Sequence, residues 1–182
     1  MDVINAIRTR KSVRSYSDKP LPKGIMQELI EAARLAPSCK NLQGYRYIPL
    51  TDKSAIYSLR DAYKQRFVCT APGLVIACFY PPTYSKSSWE KSRDKGVDKE
   101  VCRSIAMRDL AISTAFLVLR ATELGLGTCY IGDQKNEIIR KRLGIQLPME
   151  VLATITVGYP KDSSSKKRKK LSIEEITHLD SV

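Results

Sequence analysis

Apolar residues recur at Val3, Ile4 and Ile7, the spacing of one helical face, until Arg8-Thr9-Arg10-Lys11-Ser12-Val13-Arg14 replaces that period with clustered cations. The pattern predicts a short helix running into a basic turn. Pro22 stands where a helix can begin, and Ile25, Met26, Leu29, Ile30, Ala33 and Leu35 then mark one apolar face that Pro37 ends. From Tyr45 to Leu50 the residues are β-prone, and Thr51-Asp52 can cap a third helix carrying Ile56, Leu59 and Tyr63.

Gly73 to Tyr80 is different, a nearly continuous apolar run without alternation, which predicts a strand covered on both faces. Pro81 to Glu100 follows, rich in Ser, Lys and Asp and holding the chain's one tryptophan, Trp89. It reads as a surface excursion, and loops of that length are usually functional lids or mobile segments. About Val101 to Leu124 is the longest helical signal, apolar nearly all round in its second half, so the helix is expected to be buried on several sides. Gly125 supplies a C-cap, Thr128 to Ile131 a strand, Asn136 to Leu143 a short helix, and Val151 to Val157 a last strand beyond Pro148. From Lys161 onward the chain is polar and basic, without a core of its own. The whole predicts a single α+β domain over residues 1–182, built around one central helix, with a tail suited to wrapping a second subunit.

Composition narrows the chemistry. With 31 Lys and Arg against 19 Asp and Glu, the net charge is +12, and 43% hydrophobic residues imply a packed core. No stretch has the length of a membrane span, and the start Met-Asp-Val-Ile-Asn lacks a secretory signal's basic lead, so the expected location is the cytoplasm. Five scattered cysteines (Cys39, Cys69, Cys78, Cys102 and Cys129) form no C-x-x-C pair and read as small hydrophobes. A single histidine, His178 near the C-terminus, argues against Ser-His-Asp, Cys-His and His-ligated metal schemes. No metal site is predicted.

Four segments can carry chemistry. Arg10, Lys11, Ser12 and Arg14 suit a phosphate, because guanidinium forks and a hydroxyl donate directional hydrogen bonds to its oxygens, although a solvated basic turn has the same composition. Lys166-Lys167-Arg168-Lys169-Lys170 is open to more readings: phosphate clamp, nucleic-acid contact, localisation signal or solvated tail. Ala36 to Gln43 offers short polar groups to a heterocycle edge, or is simply a loop. Gly125 to Gly132 allows close backbone approach, to a planar ligand or in a tight turn. Neither a G-x-G-x-x-G after a first strand nor a P-loop occurs.

In this order and spacing the segments resemble the nitroreductase family of flavoprotein oxidoreductases. The matching residues are Ile7-x-x-Arg10-Lys11-Ser12-Val13-Arg14, Ala36-Pro37-Ser38-x-x-Asn41-x-Gln43, Ala71-Pro72, Asp109, Glu123 to Cys129, Gly158-Tyr159-Pro160 and Arg168 to Glu175. The resemblance implies an α+β homodimer whose central mixed or antiparallel sheet is flanked by helices. It further implies FMN at the subunit interface, with NAD(P)H reducing flavin N5 and an electron-poor acceptor, such as a nitroaromatic or quinone, then taking its place. Arg10, Lys11 and Ser12 would meet the FMN phosphate, with Arg168 and Lys170 closing from the tail. Arg14 would reach the pyrimidine edge, where negative charge collects on reduction. Pro37, Ser38, Cys39 and Asn41 would come from the partner subunit, Ile131 and Gly132 would lie beside the isoalloxazine, and Gln65 falls where the family often contacts the pyrimidine ring.

Two departures stand near that pocket: Gln43-Gly44-Tyr45 where Gln-Pro-Trp is usual, and Asp133-Gln134 where Gly-Phe is usual. In the variable 81–100 segment, Tyr84 and Trp89 are candidates for stacking on substrate or for packing the lid. A reductive dehalogenase, a flavin-dependent dehydrogenase or a flavin-fragmenting enzyme would share the FMN residues. The rival from another class is a basic nucleic-acid-binding module, opposed by 7% aromatic content and no RNP-like or helix-turn-helix signature.

Overall fold

A computed structural model describes residues 1–80, 99–161 and 169–180. The elements are α1 (Val3–Thr9), α2 (Ile25–Arg34), β1 (Tyr45–Leu50), α3 (Lys53–Ser58), β2 (Gly73–Phe79), α4 (Lys99–Glu123), β3 (Gly127–Ile131), α5 (Asn136–Leu143) and β4 (Glu150–Gly158). The strands form one sheet in the order β1-β2-β4-β3, every neighbour antiparallel. Ser12 adds a single parallel bridge to Thr128 on the outer edge of β3.

Central β2 is buried at every residue, and its two sets of side chains enter two cores. Val75, Ala77 and Phe79 pack with Leu29 and Ala33 of α2 and Leu110 and Leu117 of α4. Leu74, Ile76 and Cys78 pack on the other face with Ile56, Leu59 and Ile139. Each large side chain so buried contributes about 1.5–3 kcal/mol, which is why the unalternating run Leu74 to Phe79 specifies the centre of the sheet. Buried threonines of β4 are satisfied across that second core, Thr154 by the Tyr63 hydroxyl at 2.9 Å and Thr156 by the Tyr16 hydroxyl at 2.5 Å.

Caps hold where the sequence predicts them. The Asp52 carboxylate accepts from the Ala55 N–H at 2.8 Å to open α3. Gly125, at φ 74°, closes α4 while the Leu126 N–H reaches back to the Ala121 carbonyl at 2.8 Å. Elsewhere the boundaries shift. Helix α2 begins at Ile25 behind left-handed Gly24 rather than at Pro22, and α3 ends at Ser58, so that Tyr63 stands in extended backbone beside Gln134. Helix α4 starts at Lys99, inside the segment expected as a surface excursion; residues 81–98, with Tyr84 and Trp89, lie outside the described residues.

Helix α4 also differs from expectation in its burial. One face is sealed by Cys102, Ala106, Asp109, Leu110, Ser113, Leu117 and Ala121, but on the other Ile112 is 43% and Phe116 40% exposed. Val3, Ile4 and Ile7 of α1, which contacts α4, are exposed as well. In the tail, Leu171, Ile173, Ile176 and Leu179 are exposed too. A single copy of the chain therefore leaves large apolar residues of α1, α4 and the tail in water.

Candidate functional site

The basic turn is fixed by backbone. Val13 donates its N–H to the Thr128 carbonyl at 2.8 Å beside the Ser12 to Thr128 bridge, which aligns residues 10–14 with the outer edge of β3. Such an approach requires glycine at 127, where a Cβ would stand 2.5 Å from Val13 Cγ2. Arg10, Ser12 and Arg14 are near enough to the buried Cys129 to act on its thiol. Burial pushes that thiol's pKa up, and the cation of Arg14, a hydrogen bond with Ser12 and the cation of Arg10 oppose the rise. No ion pair joins Arg10 or Arg14 to a carboxylate among the described residues. Two guanidinium groups and a hydroxyl gathered on one edge can hold an anion.

Beyond Cys129 the strand alternates. Ile131 is buried in the core with Cys129, so at the surface it offers backbone only, whereas the Tyr130 ring between them is 45% exposed. With Met107, Arg108 and Leu152, Tyr130 lines an open depression of about 380 Å³. Tyr130 was not among the residues the motifs singled out; the period of two along β3 was the signal for it. Gly132 is exposed, and nothing lies within 4 Å of where its Cβ would be, so a flat group can approach its backbone. Next to it the chain folds 62–65 against 133–135: Lys64 pairs with Asp133 at 3.2 Å, Tyr63 bridges Gln134, and Lys135 donates its N–H to the Ala62 carbonyl at 2.9 Å. Gln65 thereby comes near the end of β3, its Oε1 buried without a donor among the described residues.

The Pro37 to Gln43 loop is fixed by side chains instead. Ser113 of α4 donates to the Ala33 carbonyl at 2.6 Å, and the Tyr45 hydroxyl reaches the Arg34 and Ala36 carbonyls at 3.2 and 3.3 Å. Inside the loop, the Cys39 N–H donates to Asp109 Oδ2 and the Gln43 N–H to Ser38 Oγ, both at 3.0 Å. Lys40, Asn41 and Gln43 are left-handed, at φ 48°, 58° and 50°. Asn tolerates that region, but Lys and Gln are strained in it. Asp109 is buried, and burial holds its carboxyl above the usual aspartate range, against the Cys39 hydrogen bond and the Arg108 cation.

One chain thus carries two clusters. Arg10, Lys11, Ser12, Arg14, Ile131 and Gly132 gather along β3, while Pro37, Ser38, Cys39 and Asn41 gather on the loop tied to α4. No hydrogen bond or ion pair among those described joins Ser38, Cys39 or Asn41 to Arg10, Ser12 or Arg14. Lys170 is described and exposed; Arg168 lies outside the described residues. A cavity of about 880 Å³, lined by Lys23, Gln27, Lys53, Tyr57 and Thr70 among others, includes none of these residues. Among the described residues no three His, Cys, Asp or Glu side chains converge as for a metal, all five cysteines are free thiols, and no helix is long and apolar enough to cross a membrane.

The profile of the nitroreductase family matches residues 7–68 and 59–159, spanning both clusters. The chain belongs to the nitroreductase family. A relative from Archaeoglobus fulgidus, provisionally named NADH dehydrogenase/NAD(P)H nitroreductase, is 25% identical over 168 residues, 88% of this chain and 87% of that protein. The solved structure of NfrA2 from B. megaterium is 26% identical and superposes at a TM-score of 0.87, over 100% of this chain and 76% of that one. A structure from Exiguobacterium sibiricum in complex with FMN shares the fold at a TM-score of 0.85 and 18% identity, over 99% of this chain and 98% of its own.

Proposed function

We propose that this chain is an FMN-dependent, NAD(P)H-using oxidoreductase that acts as a homodimer and delivers reducing equivalents to an electron-poor acceptor such as a nitroaromatic or quinone. The observation that carries the reading is that Arg10, Ser12 and Arg14 lie together along the edge of β3, with no carboxylate partner for either arginine among the described residues. The residues present fit FMN in three respects. Cations stand near one another for a phosphate, Gln65 Oε1 is buried with no donor among the described residues, and Gly132 leaves room for a ring. FMN, when bound, would supply hydride transfer at N5.

In this reading Arg10, Lys11 and Ser12 hold the phosphate, with Arg168 and Lys170 from the tail. Arg14 sets a fixed cation beside the pyrimidine edge and stabilises negative charge there. Gln65 Oε1 accepts a hydrogen bond from the ring edge. Pro37, Ser38, Cys39 and Asn41 of the partner subunit complete the pocket, which is why a single chain presents them apart from the cations. Exposed Ile112 and Phe116 on α4, with the apolar residues of α1, supply the surface for that pairing, and the tail wraps the second copy. The relative named NAD(P)H nitroreductase and the FMN-bound neighbour support this reading over the nucleic-acid module.

The test is gel filtration of the purified chain after incubation with FMN, read by visible absorbance. Flavin bands eluting with a dimer are expected, and bleaching on addition of NADH or NADPH follows. A colourless protein that stays colourless overturns the proposal.

A further inference from the structure

We infer that Asp109 is a positioning residue, holding through the Cys39 backbone the shape in which the Pro37–Asn41 loop meets its ligand. The inference rests on the flavin reading above and extends it to a residue that touches no part of the expected cofactor.

The loop cannot hold its shape by local preference. Lys40, Asn41 and Gln43 are all left-handed and none is glycine, so the surrounding structure must impose that backbone. Its anchors divide by place. The hydroxyls of Ser113 and Tyr45 grip the carbonyls of Ala33, Arg34 and Ala36, which lie before the loop. Ser38 Oγ ties the loop to itself through the Gln43 N–H. From the body, Asp109 holds the strained segment near its start, through the Cys39 N–H, and Arg46 of β1 holds its end, donating to the Gln43 carbonyl at 3.0 Å. It stands one helical turn before Ser113 on α4, near enough to Tyr45 to act on its hydroxyl's ionisation. One buried face of the central helix therefore fixes both the end of α2 and the loop that follows.

The choice of carboxylate is informative. Burying an acid beside Leu110 and Ala106 is costly, and an apolar side chain would pack there without that cost. A carboxylate accepting from an N–H makes a shorter and stronger bond than a neutral acceptor. Ser38 and Asn41 stand one residue before and two residues after the bonded Cys39, so a loosened Cys39 amide would displace the two polar side chains expected to meet the cofactor.

Asp109→Ala and Asp109→Asn in the full chain test this, with FMN binding read by quenching of flavin fluorescence and Cys39 amide hydrogen exchange read without cofactor. The alanine variant is expected to bind FMN about tenfold more weakly, the scale of one charge-assisted hydrogen bond, and to exchange the Cys39 amide faster. The asparagine variant, whose side-chain carbonyl still accepts but carries no charge, is expected to recover part of that affinity and to slow the Cys39 amide again. FMN affinity unchanged in Asp109→Ala overturns the positioning role. So does Asp109→Asn binding as weakly as Asp109→Ala. Should the unmodified chain take up no FMN, the flavin reading falls, and Cys39 exchange alone decides the positioning role, which unchanged exchange in Asp109→Ala overturns. Faster Cys39 exchange in Asp109→Ala would then show that the contact itself is intact and the ligand wrongly named.

Discussion

The two clusters that this nitroreductase-family chain brings to its site are built on opposite principles. Along β3, residues 10–14 are seated by a backbone hydrogen bond at Val13, a bridge at Ser12 and the missing side chain of Gly127. Around Pro37 to Gln43 the backbone is strained, and side chains of Ser38, Tyr45, Asp109 and Ser113 hold it. The first cluster should therefore tolerate changes of side chain and fail when the main chain is pushed. The second should loosen by degrees as hydroxyls and carboxylates are removed.

The severest test of that contrast is Gly127→Ala. The new methyl meets the β-branched stem of Val13, which cannot swing aside, so the substitution should cost about 3 kcal/mol, the upper end of overpacking penalties. Urea unfolding measures it. FMN affinity should fall with stability, because the turn carrying Arg10 and Arg14 leaves the edge of the sheet. A variant as stable as the parent would mean the bridge at Ser12 is not what seats the cations.

Arg10→Ala and Arg14→Ala come next, for they remove charge without touching the main chain. Arg10→Ala should weaken FMN binding about tenfold, or 1.4 kcal/mol. Arg14→Ala should retain FMN more nearly and lower the flavin's reduction potential, since it takes a cation from where charge accumulates. Titration calorimetry and spectroelectrochemistry separate the two. Equal effects of both variants on both quantities would contradict the division of labour.

How far the sequence reached follows the same line. Central β2, the length of α4, the Asp52 and Gly125 caps and the order of the motifs were legible, because each is written in neighbouring residues or in a period. The left-handed loop was not, since its conformation depends on Asp109, 70 residues away. Nor was the orientation of β3. Tyr130 and Ile131 are adjacent in the motif, and only pairing of Cys129 with Thr156 and Ile131 with Thr154 decides which of them faces outward. Tyr63 was assigned to a helical face, but its hydroxyl finds Thr154 across the core and its backbone finds Gln134, contacts that end the helix early. Apolar residues of the second half of α4 were read as core, but Ile112 and Phe116 are exposed, because an apolar period does not say which of its residues the chain's own fold covers.

Two hydroxyl deletions sharpen the comparison at a smaller scale. Tyr16→Phe and Tyr45→Phe each remove one phenol with hydrogen-bonded partners and should each cost about 1 kcal/mol. Only Tyr45 braces the strained loop, so Tyr45→Phe should weaken FMN binding in proportion. Tyr16→Phe should leave binding almost unchanged, because the Val13 to Thr128 backbone bond survives it. Similar losses of affinity in the two variants would erase the distinction between backbone-seated and side-chain-seated halves.

The smallest expected effect concerns pH, and its sign sets Asp109 apart from the exposed acids. Asp52 is held below the ordinary carboxylate range by Ser54 and the Ala55 N–H, so what it contributes is present above its unfolded value and lost on acidification. Asp109 is shifted the other way, chiefly by burial. Below the ordinary aspartate value both folded and unfolded chains carry it protonated, and the folded state bears no charge penalty there. As pH rises through the elevated native value, the folded chain ionises a buried group at a cost the unfolded chain does not share, so this contribution is lost. Asp109→Asn does not titrate. Its stability relative to the parent should therefore rise by a few tenths of a kcal/mol between about pH 4 and pH 7, read as urea midpoints across that range. A difference that instead grew in the parent's favour with rising pH would mean that the ionised carboxylate is more than repaid by the Cys39 N–H, and that the loop is held more firmly than its strained backbone suggests.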